Sequence, residues 1–168
     1  MQHRPTNFRH GFTFIELILV MALLVAMISL SAPMLSSFFR GRTLDGEARR
    51  LLALTRAGQS RAVSEGFPML LWVDAGLRSY GLEQEMPPRD GDGKAQEFTL
   101  DESLRMEVAK SASLPVRGKP LPAIRFLPDG TVDEVSPTSV SLAGMDESKL
   151  WLVLATNRVN YEIRNANP

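Results

Sequence analysis

Gly11-Phe12-Thr13-Phe14-Ile15-Glu16-Leu17-Ile18-Leu19-Val20 opens the longest uncharged tract of the chain, and one carboxylate, Glu16, stands at its threshold. From Leu17 to Phe39 no Asp, Glu, Lys or Arg interrupts the sequence, and Arg40 ends the tract. As a helix rising ~1.5 Å per residue, those residues would be roughly 34 Å long, enough to cross a bilayer core. A carboxylate at the edge of such a span is costly and calls for a partner. A cut after Gly11 would create an ammonium at Phe12, about one helical turn from Glu16. In a pack of parallel copies, the carboxylate of one chain would then meet the amine of the next.

The bulk numbers leave room for one membrane segment and one modest domain: 168 residues with a formal net charge of zero. Arg4 and Arg9 give residues 1–11 a charge of +2, so the remainder carries −2. That balance does not suggest a nucleic-acid binder. Cysteine is absent, which excludes disulfides, a thiolate nucleophile and cysteine-ligated zinc. Both histidines, His3 and His10, precede Gly11, so a chain cut there would lack the commonest general base and metal ligand. Assembly is favoured over catalysis.

Three readings compete for the N-terminal tract. A secretory signal peptide fits the basic start, but the apolar run is longer than usual. Its best small-residue cleavage site, Ser29-Leu30-Ser31 before Ala32, is followed at once by Pro33. A plain single-span anchor explains the length and places the basic end in the cytoplasm, but not Glu16. Third, Gly11-Phe12-Thr13-Phe14-Ile15-Glu16-Leu17 resembles the signal of type IV prepilins and type II secretion pseudopilins. The resemblance implies that a prepilin peptidase cuts between Gly11 and Phe12 and N-methylates Phe12. It also implies that Glu16 pairs with the N-terminal amine of a neighbouring subunit. Phe14 stands where the family usually has Leu. Pro33 falls where many pilins carry a helix-kinking proline, which removes one backbone N–H and predicts a bend near Ser29.

Beyond Arg40-Gly41-Arg42, a helical period continues from Thr43 to about Glu65 through Leu44, Ala48, Leu51, Leu52, Thr55 and Ala62. Asp45/Arg49 and Glu47/Arg50 are spaced as outward charge pairs. Ala48, Gly58 and Ala62 are small enough to let a sheet approach, and Gly66-Phe67-Pro68 ends the helix. Short strands then follow: Met69–Val73, Arg78–Glu83, Phe98–Leu100, Leu104–Val108, Ala123–Leu127, Thr131–Val135, Val140–Leu142, Trp151–Ala155 and Val159–Ile163. Exposed loops are expected at Met86–Ala95 and at Ser111–Pro122, the latter with three prolines. The fold class is α+β: a long N-terminal transmembrane and amphipathic helix, then a mostly antiparallel, pilin-like β head. The expected divisions are a leader at 1–11, a transmembrane assembly helix at 12–39, its amphipathic continuation at 40–65, and a periplasmic head at 66–168.

Helix first and strands after is similar to the H-type minor pseudopilin of type II secretion. Ile124–Thr131 resembles its strand-turn-strand signature, and Leu152–Ile163 its closing hairpin. The resemblance implies a structural subunit near the tip of the pseudopilus, with the other major and minor pseudopilins, the prepilin peptidase, inner-membrane lipid and secreted cargo as partners. The alternative is a minor type IV pilin serving pilus priming or DNA uptake. A calcium loop near the C-terminus, typical of the major G-type subunit, is not found.

The remaining motifs favour plain readings. Asp90-Gly91-Asp92-Gly93 has two carboxylates but lacks the other ligands of an EF-hand loop, so a solvated loop is expected. Asp129-Gly130 is a turn signal. Trp72 and Trp151 are expected in the core. Arg158 and Arg164, beside Glu162, make a thin patch for DNA. No catalytic residue, metal ligand or cofactor site is expected.

Overall fold

In the computed structural model the described residues are 13–109, 112–145 and 147–165; of 30–41 only the backbone is described. The chain forms two units, Met1–Phe38 and Phe39–Pro168. Helix α1 spans Phe14–Glu65. It stops where the sequence predicts, at Gly66, whose φ of 74° is left-handed and whose N–H caps the Ala62 carbonyl at 3.0 Å.

Nine strands follow: β1 (Met69–Asp74), β2 (Ser79–Gln84), β3 (Gln96–Thr99), β4 (Leu104–Val108), β5 (Ser113–Val116), β6 (Lys119–Phe126), β7 (Ser139–Gly144), β8 (Lys149–Leu154) and β9 (Tyr161–Arg164). They make two sheets in the orders β3-β2-β1-β6-β5 and β4-β7-β8-β9, and every pairing is antiparallel. The α+β class and the antiparallel head are thus as expected.

One core joins the helix to both sheets. Leu44, Ala48, Leu51 and Leu54 of α1 meet Leu71, Leu82, Ile124 and Phe126 of the first sheet and Met106, Leu142 and Leu152 of the second. Each such large apolar side chain adds about 1.5–3 kcal/mol on full burial. Gly58 is the point of closest approach. A Cβ there would lie 2.8 Å from the Phe126 ring and 2.9 Å from Leu82. The sequence reading of Ala48, Gly58 and Ala62 as the close-packing face is borne out. Gln59, one residue on, donates from its amide to the carbonyls of Gly130 (2.6 Å) and Val159 (2.8 Å).

A second, smaller cluster lies on the other face of the first sheet: Leu70, Trp72, Val116 and Ala123, joined by Leu114 and Leu121. Side chains alternate across a strand, so Leu70 and Trp72 oppose Met69, Leu71 and Val73. Val116, Leu114 and Leu121 of this cluster come from the stretch Ser111–Pro122 expected as a loop, whose described residues, 112–122, are not one. Ser113–Val116 and Lys119–Phe126 form a hairpin with Val116 opposite Lys119. Arg117 and Gly118 take φ of 48° and 81°, the two left-handed residues of a tight hairpin turn. The prolines fit because β5 is an edge strand, and β6 pairs with β1 only from Ala123 onward. At the hairpin tip, Arg117 reaches Glu83 (2.8 Å) and Glu97 (2.7 Å) and stacks over Trp72, 5.2 Å from the ring centroid.

Four further expectations are corrected. Thr131–Val135 is not a strand; only Val132 bridges to Phe126, because Asp129 and Asp133 accept from N–H groups two residues on and curl the chain. Glu47 does not face outward: it is buried, accepts the Tyr80 hydroxyl at 2.5 Å and still pairs with Arg50 at 2.9 Å. Asp45/Arg49 does form the exposed pair expected, at 2.8 Å. Trp151 is half-buried rather than core, since it alternates with Leu152 and falls on the outward face of the second sheet. The stretch Asp90–Gly93 is not simply a solvated loop. The Asp92 side chain is 7% exposed and bonded to Arg61 at 3.0 Å.

Candidate assembly site

α1 begins with a reciprocal cap. The Glu16 N–H donates to the Thr13 hydroxyl at 3.3 Å, and the Thr13 N–H donates to the Glu16 carboxylate at 3.5 Å. A threonine followed three residues later by a glutamate satisfies two of the free N–H groups at a helix start. The sequence reading assigned Glu16 to another chain and missed this local partner, although Thr13-x-x-Glu16 is its signature. Both residues remain exposed, so the cap leaves the carboxylate accessible.

Behind the cap, α1 is apolar on every side. Large side chains from Phe14, 80% exposed, to Ile28, 66% exposed, have little covering them. A helix apolar all round belongs inside a protein assembly or a membrane. Ser29 turns its hydroxyl back to the Val25 carbonyl at 2.8 Å. That bond serves the turn before the one that Pro33 would free. Among the described residues, no helix is long and apolar enough to cross a membrane. The span expected at 12–39 falls partly on residue 12 and on the side chains of 30–41, outside the description. Gly11 and Phe12, the expected cleavage and methylation sites, lie outside the described residues. The backbone of Pro33 lies within α1, but its side chain is likewise outside the description.

On the head, Asp92, Arg158 and Arg164, singled out in the sequence, are occupied. Asp92 accepts from Arg61 and from the N–H groups of Gln84 and Lys94, each at 2.9 Å. Burial pushes its pKa up, but the hydrogen bonds from Lys94, Gln84 and Arg61 outweigh that and hold it below the usual aspartate range. The carboxylate is therefore committed to a guanidinium rather than offered to a cation. Arg158 donates to the Asp133 carbonyl at 3.0 Å, and Arg164 lies 3.6 Å from Glu162, so the two arginines do not form an open cationic patch.

A half-open cleft of about 450 Å³ lies between the β1–β2 turn and β4, with Val73, Tyr80, Leu100 and Met106 among its lining. Arg78, at its rim, donates to the Asp101 carbonyl at 2.6 Å. Among the described residues, no cluster of three metal-ligating side chains occurs.

A helix followed by two antiparallel sheets defines a pilin-like class, and comparison with solved structures narrows it. The chain is similar to a crystal structure of the minor pseudopilin EpsH from the type II secretion system of Vibrio cholerae. The match has a TM-score of 0.52 and 16% identity, covering 77% of this chain and 96% of that one. A second EpsH structure matches at a TM-score of 0.48 and 18% identity, over 77% of this chain and 97% of that one. On the first of these two matches, the fold is pseudopilin-like. No protein-family model matches the chain, and no curated protein matches it in sequence.

Proposed function

We propose that this chain is a minor pseudopilin, a non-enzymatic subunit of a type II secretion pseudopilus placed near its tip. The observation that carries the reading is Glu16, exposed and capped at the start of an all-apolar, uncovered helix on a pseudopilin-like fold. In this reading a prepilin peptidase cuts between Gly11 and Phe12 and N-methylates Phe12. The helix at 12–39, kinked at Pro33, holds the subunit in the inner membrane as a single span. The N-terminus is cytoplasmic and the head periplasmic. On assembly, Glu16 leaves its own cap for the Phe12 amine of a neighbouring pseudopilin. Two charges costly alone in lipid neutralise one another at one axial stagger only. Other pseudopilins, membrane lipid and secreted cargo are the partners. The alternative, a minor type IV pilin for pilus priming or DNA uptake, has less support because Arg158 and Arg164 are engaged within the head.

The test is intact-mass analysis of the protein from cells that contain the peptidase. Wild type should begin at N-methylated Phe12, Gly11→Ala should be partly processed, and Gly11→Leu should keep its leader. A wild-type protein that retains residues 1–11 overturns the proposal.

A further inference from the structure

The hairpin of β5 and the first half of β6 lies on the first sheet without joining the β1 ladder. Residues that flank a two-residue turn form a hydrogen-bonded pair, and such pairs alternate along the strands. Val116 with Lys119 and Leu114 with Leu121 are therefore the bonded pairs. Pro115, Pro120 and Pro122 fall at the positions whose N–H groups would point out of the hairpin. They have none to offer, so pairing with β1 stops at Ala123.

Among the described residues, 113–121 is fastened to the sheet by side chains and not by backbone hydrogen bonds. Leu114, Val116 and Leu121 rest on Leu70 and Trp72, in a cluster separate from the main core. At the tip Arg117 holds Glu83, Glu97 and the Trp72 ring. A crevice of about 130 Å³ beside it, with Trp72, Leu77, Val116 and Leu121 among its lining, leaves the contact incompletely filled. The turn also runs against local preference. Arg117 takes a left-handed φ of 48° at a position where Asn-Gly is the favoured pair. Its side chain and that of Glu97 are 50% and 49% exposed, and exposed ion pairs are weak and screened by salt. Glu83 accepts the Trp72 indole N–H at 3.3 Å as well, so it keeps a partner when Arg117 leaves. The contacts that close the hairpin can therefore release without orphaning a buried charge.

We propose that the hairpin 113–121 is a lid, hinged at Pro122 and latched by Arg117, that opens as a unit to uncover Leu70 and Trp72. The open state keeps the ladders of β1 with β2 and with β6 from Ala123 onward. It exposes an apolar strip that the closed head hides. An isolated hairpin is marginal in water, so the lid loses its own ladder once it lifts. The device belongs to the head alone and does not depend on Glu16.

The test is hydrogen exchange, read by mass spectrometry, on the full chain in neutral detergent. In wild type, 113–121 should exchange faster than β1, which stays paired on both sides. Arg117→Ala should speed exchange of 113–121 by about two- to fivefold and leave β1 unchanged, which also shows that the variant is folded. Arg117→Asn suits the turn but lacks the latch, and it should likewise exchange faster than wild type. In about 1 M salt, where charges are screened beyond ~3 Å, the difference between wild type and Arg117→Ala should shrink. Exchange of 113–121 in step with β1 in wild type, wild-type protection in either variant, or a difference indifferent to salt would each overturn the proposal.

Discussion

The Tyr80 hydroxyl donates to the carboxylate of Glu47, which joins β2 to the buried face of α1 across 33 positions of sequence. Tyr80→Phe leaves the Glu47 carboxylate buried with Arg50 alone, at a cost of about 1–3 kcal/mol. Urea unfolding followed by far-ultraviolet circular dichroism measures it. Burial, and then the Glu47 hydrogen bond, raises the Tyr80 pKa above its ordinary value. A raised folded pKa contributes stability that is whole below the unfolded value, about 10 for tyrosine, and is lost as pH climbs above it. Wild type should therefore lose stability above about pH 10 more steeply than Tyr80→Phe. Parallel curves would contradict this.

Gly58 and Gly46 sit in the same helix in opposite circumstances. A Cβ at Gly58 would strike Phe126 at 2.8 Å, whereas nothing lies within 4 Å of one at Gly46. Gly58→Ala should destabilise by about 1–3 kcal/mol despite its better helix propensity. Gly46→Ala should stabilise by up to about 1 kcal/mol. Thermal melts of the two variants side by side decide, and the same sign for both would be the wrong result.

Asp92 should make the head acid-sensitive. Its folded pKa is lowered, so its contribution is present above the unfolded aspartate value near 4 and vanishes as pH falls through the folded one. Asp92→Asn should be less stable than wild type at neutral pH by about 1–3 kcal/mol, with the gap closing below about pH 4. Unfolding titrations between neutral and acid pH test it; a gap that stays constant counts against the Arg61–Asp92 link.

Arg117→Ala should loosen the hairpin tip over Trp72 with little loss of stability, about 1 kcal/mol or less, because Arg117 is half exposed. Trp72, buried beneath it, should then report the change as a red-shifted and more quenchable emission in a Trp151→Phe background. Unchanged emission would mean that Arg117 does not cover the ring.

If the proposed function holds, Glu16→Leu should be processed and inserted normally, yet join the filament or tip complex at least about tenfold less, since the Phe12 amine of a neighbour would be left buried and unpaired. Crosslinking in cells, with and without sibling subunits, reads this. Normal incorporation would show the charge pair to be dispensable.

Local patterns made most of the head readable. Met69–Val73 is a continuous apolar run, and Tyr161 and Ile163 alternate with charged residues, so β1 and β9 could be placed before their partners were known. Segments whose structure depends on distant residues were misjudged. Glu47 looks like half of a surface pair because Arg50 is three residues away, while Tyr80 is far along the chain. Asp92 sits among glycines, and its cation, Arg61, lies 31 positions earlier. The prolines around Arg117-Gly118 argued for a loop because the sequence does not reveal that β5 is an edge. At the assembly site the threonine–glutamate spacing was visible, but the reading passed over a cap inside one helix for a contact between chains.

Gln59 gives the head a mechanical property. Its one amide holds the carbonyls of Gly130, after β6 of the first sheet, and Val159, between β8 and β9 of the second. A pull or push along the Phe39–Glu65 part of α1 therefore reaches both sheets through this one side chain as well as through the shared core, and neither sheet bears the load alone. Gln59→Ala would leave the packed core in place while uncoupling the two turns. Under force, such a head should give way in stages where the wild type yields all at once.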